Sequence, residues 1–389
     1  MIPLLPWGTT GMLFALSTLI TTAGVTLYDA RLWRSSWFVR SIAAVWLMIT
    51  LGLLLWRLKH PTAAALGVEL TWFLLPLFSL AGLGLWLAAP LHRVLGWLAR
   101  RGVREVKSGR GRARRQFLRQ AAAMLPATAV AAGTAAMTGN DTTRVVQVPL
   151  AFADLPRALD GLRLLHLSDL HLGVGRTSAD LARLLDGLRS EPPDLIVLTG
   201  DVADRVEELE SALELLTAFA PRLGVYAALG NHEYLNDIEQ MLPVYRKSSV
   251  RLLVNESATL AIGEASLFLA GVDDPVLRGP ARPFFAQAVA ECAAGAPAAA
   301  FRLLLCHRPE GFEAAAEHGF HLTLSGHTHG GQIGIAGRSV FEVLWGIPYL
   351  WGAYRRGDSR LYTTSGFGHW FPFRLNCPAE APVITLRRA

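Results

Sequence analysis

Five short apolar runs in the second half of the chain each end in residues that can hold a metal ion. "LLHLSDLH" closes on Asp169 and His171, "LIVLTGDVAD" contains Asp201, and "VYAALGNHE" carries Asn231 and His232. "RLLLCHRPE" carries His307, and "LTLSGHTHGGQ" carries His327 and His329. Runs this short and this apolar read as strands rather than helices. Singly, each polar ending is common turn chemistry. Together they demand a fold that gathers the C-terminal ends of several strands in one place, as an α/β sheet does. The expectation is that all five reach one edge of one sheet.

The surrounding texture agrees. Strands are expected over residues 163–167, 195–198, 225–228, 267–270, 302–305, 321–324, 361–363 and 383–386. Amphipathic stretches over 178–189 and 206–219 supply helices between the early ones. Carboxylates, imidazoles and one amide oxygen suit Mn, Fe or Zn, and the site is not of the thiolate kind. A carboxylate such as Asp201 can bridge two divalent ions. Ions about 3.5–4 Å apart can share a hydroxide and clamp both oxygens of an in-line displacement at phosphorus. Glycines precede Asp201, Asn231 and His327 and are expected to let the backbone turn sharply there. The three cysteines, Cys292, Cys306 and Cys377, are odd in number and far apart, so no disulfide framework is expected.

The set D-x-H, G-D-x-x-D, G-N-H-E, H and G-H-x-H is similar to that of the calcineurin-like metallophosphoesterases, over roughly residues 145–386. The resemblance implies a four-layer α/β/β/α sandwich and a metal-dependent phosphohydrolase. It implies that Asp169, His171, Asp201 and His329 hold a first metal, and Asp201, Asn231, His307 and His327 a second. His232 would stand beside the bridging hydroxide, stabilise the transition state and protonate the leaving oxygen. Asp204 matches the end of the second motif and is expected to support ligands or cap a helix rather than bind metal. "GHTHGGQ", "LLVNE" and "SGFG…PFRLNCPAE" look like the membrane-anchored bacterial branch. That branch includes exported phosphodiesterases and pyrophosphatases of UDP-diacylglucosamine.

The first half has another character. The chain is 52% hydrophobic and only 17% charged, which points to a membrane portion. Three apolar runs, 9–27, 37–56 and 66–91, read as three spans within a transmembrane region 1–91. Trp7, Trp37, Trp56 and Trp97 stand where interfacial anchors would. Residues 92–119 hold ten Lys/Arg against one acid and 1–91 hold five against two, so a whole-chain charge of +6 leaves the rest at −6. The basicity is local, and a nucleic-acid partner is not expected. The basic block orients the spans and keeps its own segment cytoplasmic.

Arg114 and Arg115, followed by Phe117, Leu118 and an Ala-rich stretch, resemble a twin-arginine export signal within residues 92–144. A fourth crossing over 121–137 would carry residues 145–389, the phosphoesterase domain, outside. The expectations are a multi-pass protein of the bacterial inner membrane and a catalytic domain on the extracytoplasmic side. The expected partners are the membrane, the export machinery and a phosphorylated small-molecule or lipid substrate. One alternative is a cytoplasm-facing pyrophosphatase of a nucleotide-linked lipid precursor. Another is a non-catalytic receptor or assembly factor with a structural metal site. The apolar stretch 340–357, with Val343, Leu344, Trp345 and Ile347, reads either as a lip for lipid or as a covered corner. Arg355, Arg356 and Arg374 are candidates for a second phosphate or a headgroup, and Phe367, His369 and Trp370 for the pocket rim.

Overall fold

A computed structural model describes residues 143–276, 280–369 and 374–389, with pieces of the first hundred at 17–23, 25–26, 33–56, 82, 89–90 and 93–94. The chain divides into two compact units, one of residues 1–3, 140–370 and 374–389, the other of 4–139 and 371–373.

The strands of the first unit are β1 Arg144–Phe152, β2 Arg163–Leu167, β3 Leu195–Thr199, β4 Val225–Ala228, β5 Arg251–Leu252, β6 Glu256–Ile262 and β7 Ala265–Gly271. They continue as β8 Phe301–Leu305, β9 Leu322–Ser325, β10 Gly334–Ile335, β11 Arg338–Ser339, β12 Gly352–Arg356, β13 Ser359–Thr363 and β14 Glu380–Arg388. One six-stranded sheet runs β1-β14-β2-β3-β4-β5 and a second runs β12-β13-β9-β8-β7-β6. Within the first, β2 to β5 are parallel and β14 is antiparallel to β2. Within the second, β7, β8, β9 and β13 are parallel and the edges β6 and β12 are antiparallel.

Alternation along each strand explains the layers. Successive side chains point to opposite faces. Leu164, Leu195, Val197, Leu267, Leu269, Leu303, Leu305, Leu322 and Leu324 meet in one core between the sheets. Leu165, Leu167, Ile196 and Leu198 point the other way, into a core with helices. Those helices, in chain order after α1 Ser36–Trp56 of the other unit, are α2 Ser178–Gly187, α3 Val206–Phe219, α4 Asn231–Leu235 and α5 Ile238–Lys247. On the second sheet, Phe268, Ala270 and Leu304 pack with α6 Ala281–Ala293 and α7 Phe312–Glu317. The order is helix, sheet, sheet, helix. Helix α2 starts where its sequence says it should: Thr177 and Asp180 form a reciprocal capping box.

Two expectations are corrected here. The five ligand-bearing strands do not share one sheet. β2, β3 and β4 belong to the first and β8 and β9 to the second, and the two sheets present their strand ends at a common rim. The multi-pass inner-membrane placement, with its extracytoplasmic catalytic domain, is also overturned. Among the described residues no helix is long and apolar enough to cross a membrane. The first apolar run is described over 17–23 and 25–26, and the third only at 82 and 89–90. The second forms α1, with Arg40 near its start. The twin-arginine-like stretch, 112–133, lies outside the described residues.

Candidate dimetal centre

The loops that follow β2 and β3, and those that follow β8 and β9, are tied in pairs by backbone. Asp169 N–H donates to Gly200 O, His171 N–H to Asp201 O, and Gly326 N–H to His307 O. The ligand side chains therefore start from a rigid rim. Asp169, His171, Asp201, His327 and His329 all adopt positive φ, between 47° and 67°. Non-glycine residues pay about 1–2 kcal/mol for this region, and such strain collects at functional sites.

The glycines before the ligands act differently from one another. Gly200 has a φ of 84°, and a Cβ there would lie 2.4 Å from Gly230 N. Gly326 is needed for room rather than for a turn: a Cβ would lie 2.0 Å from Ser168 Oγ and 2.1 Å from Asp169 Oδ2.

The side chains converge in two overlapping groups. In one, His171 Nε2 is 3.2 Å from His329 Nε2, and His329 Nε2 is 3.4 Å from Asp169 Oδ1. In the other, His307 Nε2 lies 3.1 Å from Asn231 Oδ1, 3.2 Å from His327 Nδ1 and 3.3 Å from Asp201 Oδ2. The same Asp201 oxygen is 3.8 Å from His171 Nε2, so one carboxylate oxygen faces both groups. Ligand atoms about 2.0–2.1 Å from a shared ion stand roughly 2.8–3.4 Å apart at octahedral or tetrahedral angles. The observed spacings are of that kind. All seven residues expected as ligands, Asp169, His171, Asp201, Asn231, His307, His327 and His329, are brought together.

Electrostatics favour cations. Burial opposes a charged His307, but Asp201, Asp169 and Asp274 together push that imidazole up to about 10. Burial likewise opposes charge on His232, and Asp201 and the hydrogen bond to Asp204 lift it to about 9. A site whose carboxylates recruit protons onto imidazoles answers equally to divalent ions. Burial holds His327 and His329 well below the ordinary imidazole value, in the neutral form that a ligand requires.

His232 gathers with His171 and Asp204 rather than with the other proposed ligands. Its backbone N–H donates to Asp201 Oδ1 at 2.8 Å, and its Nδ1 bonds Asp204 Oδ1 at 2.7 Å. The other ring nitrogen remains for chemistry, and the side chain is one-fifth exposed. Asp204 does not cap a helix. Its Oδ2 bonds His171 Nδ1 at 2.9 Å, and its Oδ1 also accepts from Asn236 Nδ2. Sequence reasoning passed over Glu233. It is fully buried and accepts the backbone N–H groups of Asp201, Val202 and Gly230. The "GNHE" motif quotes it, but nothing in the sequence says that it faces inward.

The proposed rim changes. Phe367 lies in the core and Arg374 is buried, donating to the carbonyls of Ser365, Gly368 and Cys377. Arg356 pairs with Glu313 and Glu317, and Arg355 with Asp358. His369 packs on Gly175, and Trp370 lies outside the described residues. The stretch 340–357 is not a covered corner. It carries α8 Val340–Trp345 and β12, and Val343, Leu344, Trp345 and Ile347 are exposed. The three cysteines are buried and free.

The calcineurin-like phosphoesterase family profile matches residues 162–331. A Danio rerio protein described as a transmembrane protein with metallophosphoesterase domain is 33% identical over 282 residues, 70% of this chain and 63% of its own length. An uncharacterized metallophosphoesterase of Campylobacter jejuni is 30% identical over 252 residues, 64% of this chain and 65% of the relative. Both matches span just under two thirds of those relatives. An uncharacterized metallophosphoesterase of Aquifex aeolicus is 30% identical over 250 residues, 63% of this chain and 92% of the relative. A relative matched nearly end to end and a family profile that spans every ligand loop agree with the geometry of the rim: the chain belongs to the calcineurin-like metallophosphoesterases.

Proposed function

We propose that this chain is a dimetal phosphoesterase that hydrolyses a phosphodiester or diphosphate bond. The observation that carries this reading is the pair of ligand groups meeting at Asp201 Oδ2, with a non-ligand histidine held beside them. Asp169, His171, Asp201 and His329 would hold one divalent ion, and Asp201, Asn231, His307 and His327 the other. Mn, Fe and Zn all suit this donor set. Bound there, the ions supply Lewis acidity toward phosphoryl oxygens and make water more acidic.

The protein's own groups do the rest. Asp201 fixes the spacing between the ligand groups and anchors the backbone of His232. With its Nδ1–H donated to Asp204, a protonated His232 carries its reactive proton on Nε2. Delivered to the leaving oxygen, it acts as a general acid.

The test is hydrolysis of bis-p-nitrophenyl phosphate by the full chain, stripped and reloaded with Mn, Fe or Zn. We expect metal-dependent turnover. His232→Ala should lower kcat by about 10²–10⁴-fold with the metal content kept. Asp201→Asn should lose both activity and bound metal. A wild-type chain inert with every metal would remove the hydrolase reading and leave a structural metal site.

A further inference from the structure

One cation at this rim has no part in the chemistry proposed so far. Arg308 follows His307 directly, and its side chain is about four-fifths buried, with 19% exposure. Its Nε donates to Asp274 Oδ2 at 2.7 Å and its Nη2 to Asp274 Oδ1 at 3.1 Å. This is a bidentate fork, which fixes direction as well as distance. The two bonds of the fork leave Nη1 unused.

The partner is itself fixed. Asp274 is buried at 1% exposure, and its Oδ1 also accepts from Val276 N–H. Its own N–H donates to Asp273 Oδ1, and the same oxygen accepts from Tyr234 O–H at 2.6 Å. Tyr234 lies on α4, three residues after Asn231. These bonds join the segments after β4, β7 and β8, and two of these segments supply ligands. A buried ion pair is weak evidence for stability, because desolvation offsets the Coulomb gain. Merely joining three loops does not call for a guanidinium. A guanidinium held rigid with a free N–H suits recognition of an anionic oxygen.

We propose that Arg308 is a specificity-determining residue. Its free Nη1 takes an oxygen of a second anionic group adjacent to the phosphorus under attack, so the site favours a diphosphate linkage over a simple diester. This rests on the hydrolase reading and deepens it. A loop tie and a substrate contact make different predictions. A tie that loosens the centre harms every substrate alike. A contact to the second group harms only substrates that have one.

The experiment uses the metal-loaded full chain with Arg308→Gln, Arg308→Lys and Asp274→Asn. Turnover is compared on bis-p-nitrophenyl phosphate, with one anionic group, and on diadenosine diphosphate, with two. A charge-assisted hydrogen bond corresponds to about ten- to a hundredfold in kcat/KM. Arg308→Gln should therefore shift the ratio of kcat/KM values by at least about tenfold against the diphosphate. Arg308→Lys should recover part of it, and Asp274→Asn should raise KM for the diphosphate by freeing the guanidinium to wander. Calorimetric binding of methylenediphosphonate, against methylphosphonate as control, should weaken by a matching factor without turnover. An unchanged ratio and unchanged binding in Arg308→Gln would overturn the assignment. So would equal losses on both substrates. If Arg308→Gln does not fold, Arg308→Lys and Asp274→Asn decide by the same ratio. Failure of the wild type on both substrates would instead strike the hydrolase reading, a result separable from these.

Discussion

Asp204 shows what one residue can hold. Its two oxygens reach His171 Nδ1, His232 Nδ1 and Asn236, so one carboxylate orients a proposed metal ligand and the proposed acid together. Such partners set the tautomer and aim of the ring. Asp204→Asn should lower kcat by about 10–100-fold, in the range seen for groups that orient ligands. It should also weaken metal retention by the His171 group, measured by dialysis and elemental analysis. A variant with full activity and unchanged metal content would show that backbone alone positions both imidazoles. The ligand types were readable because the chemistry restricts them to a few residues at strand ends. Arg374 was not readable: a lone arginine in a loop gives no sign that it will turn inward to three carbonyls. Glu233 was hidden for the same reason.

At the level of the element, the centre depends on how closely the strand-end loops approach. Gly200 follows β3, and a Cβ on it would press into the backbone that follows β4. The positive φ and the clash act together, so Gly200→Ala should cost about 2–4 kcal/mol and lower the Tm. Gly187, at the end of α2, is the matched control, since nothing lies within 4 Å of a Cβ there. Gly187→Ala should hold or raise the Tm, because alanine is favoured over glycine in helices by about 0.5–1 kcal/mol. A calorimetric scan of both variants decides the matter. Equal Tm values would mean that the loops after β3 and β4 can separate freely. The elements themselves were largely legible: β2 and β4 fall on the expected bounds, and α2 and α3 fall where amphipathic spacing put them. β1 was harder to see, because Pro149 argues against a strand. It is tolerated because β1 is an edge strand, paired only with β14. β12 was masked by the apolar stretch around it.

For the whole molecule, the four layers followed from the family resemblance and not from the strands themselves, because strands buried on both faces read as continuous apolar runs. β3 is buried along its entire length, so nothing in "LIVLT" says which face meets helices and which meets a second sheet. His166 marks the inner face. By alternation it shares the side of Leu164, which lies in the core between the sheets, and it is completely buried. Its Nε2 bonds Thr199 Oγ1 at 2.8 Å, while its Nδ1 has no hydrogen-bond partner. Burial lowers its folded value to about 3 from 6.5. Between those values the unfolded chain binds a proton that the folded chain refuses. The stability contribution is therefore intact above about pH 6.5 and is lost as pH falls from there toward 3, at no more than about 1.4 kcal/mol per pH unit. By pH 5 the loss should reach roughly 2 kcal/mol. His166→Gln keeps a polar group near Thr199 but cannot take up the proton. Its stability, from urea unfolding at several values between pH 7 and pH 5, should fall less steeply than that of the wild type. Every other titrating group is common to both proteins, so the difference between the two curves isolates His166. Parallel curves would mean that water reaches the inter-sheet layer and solvates the imidazolium, and the inner core would then be wetter than its packing implies.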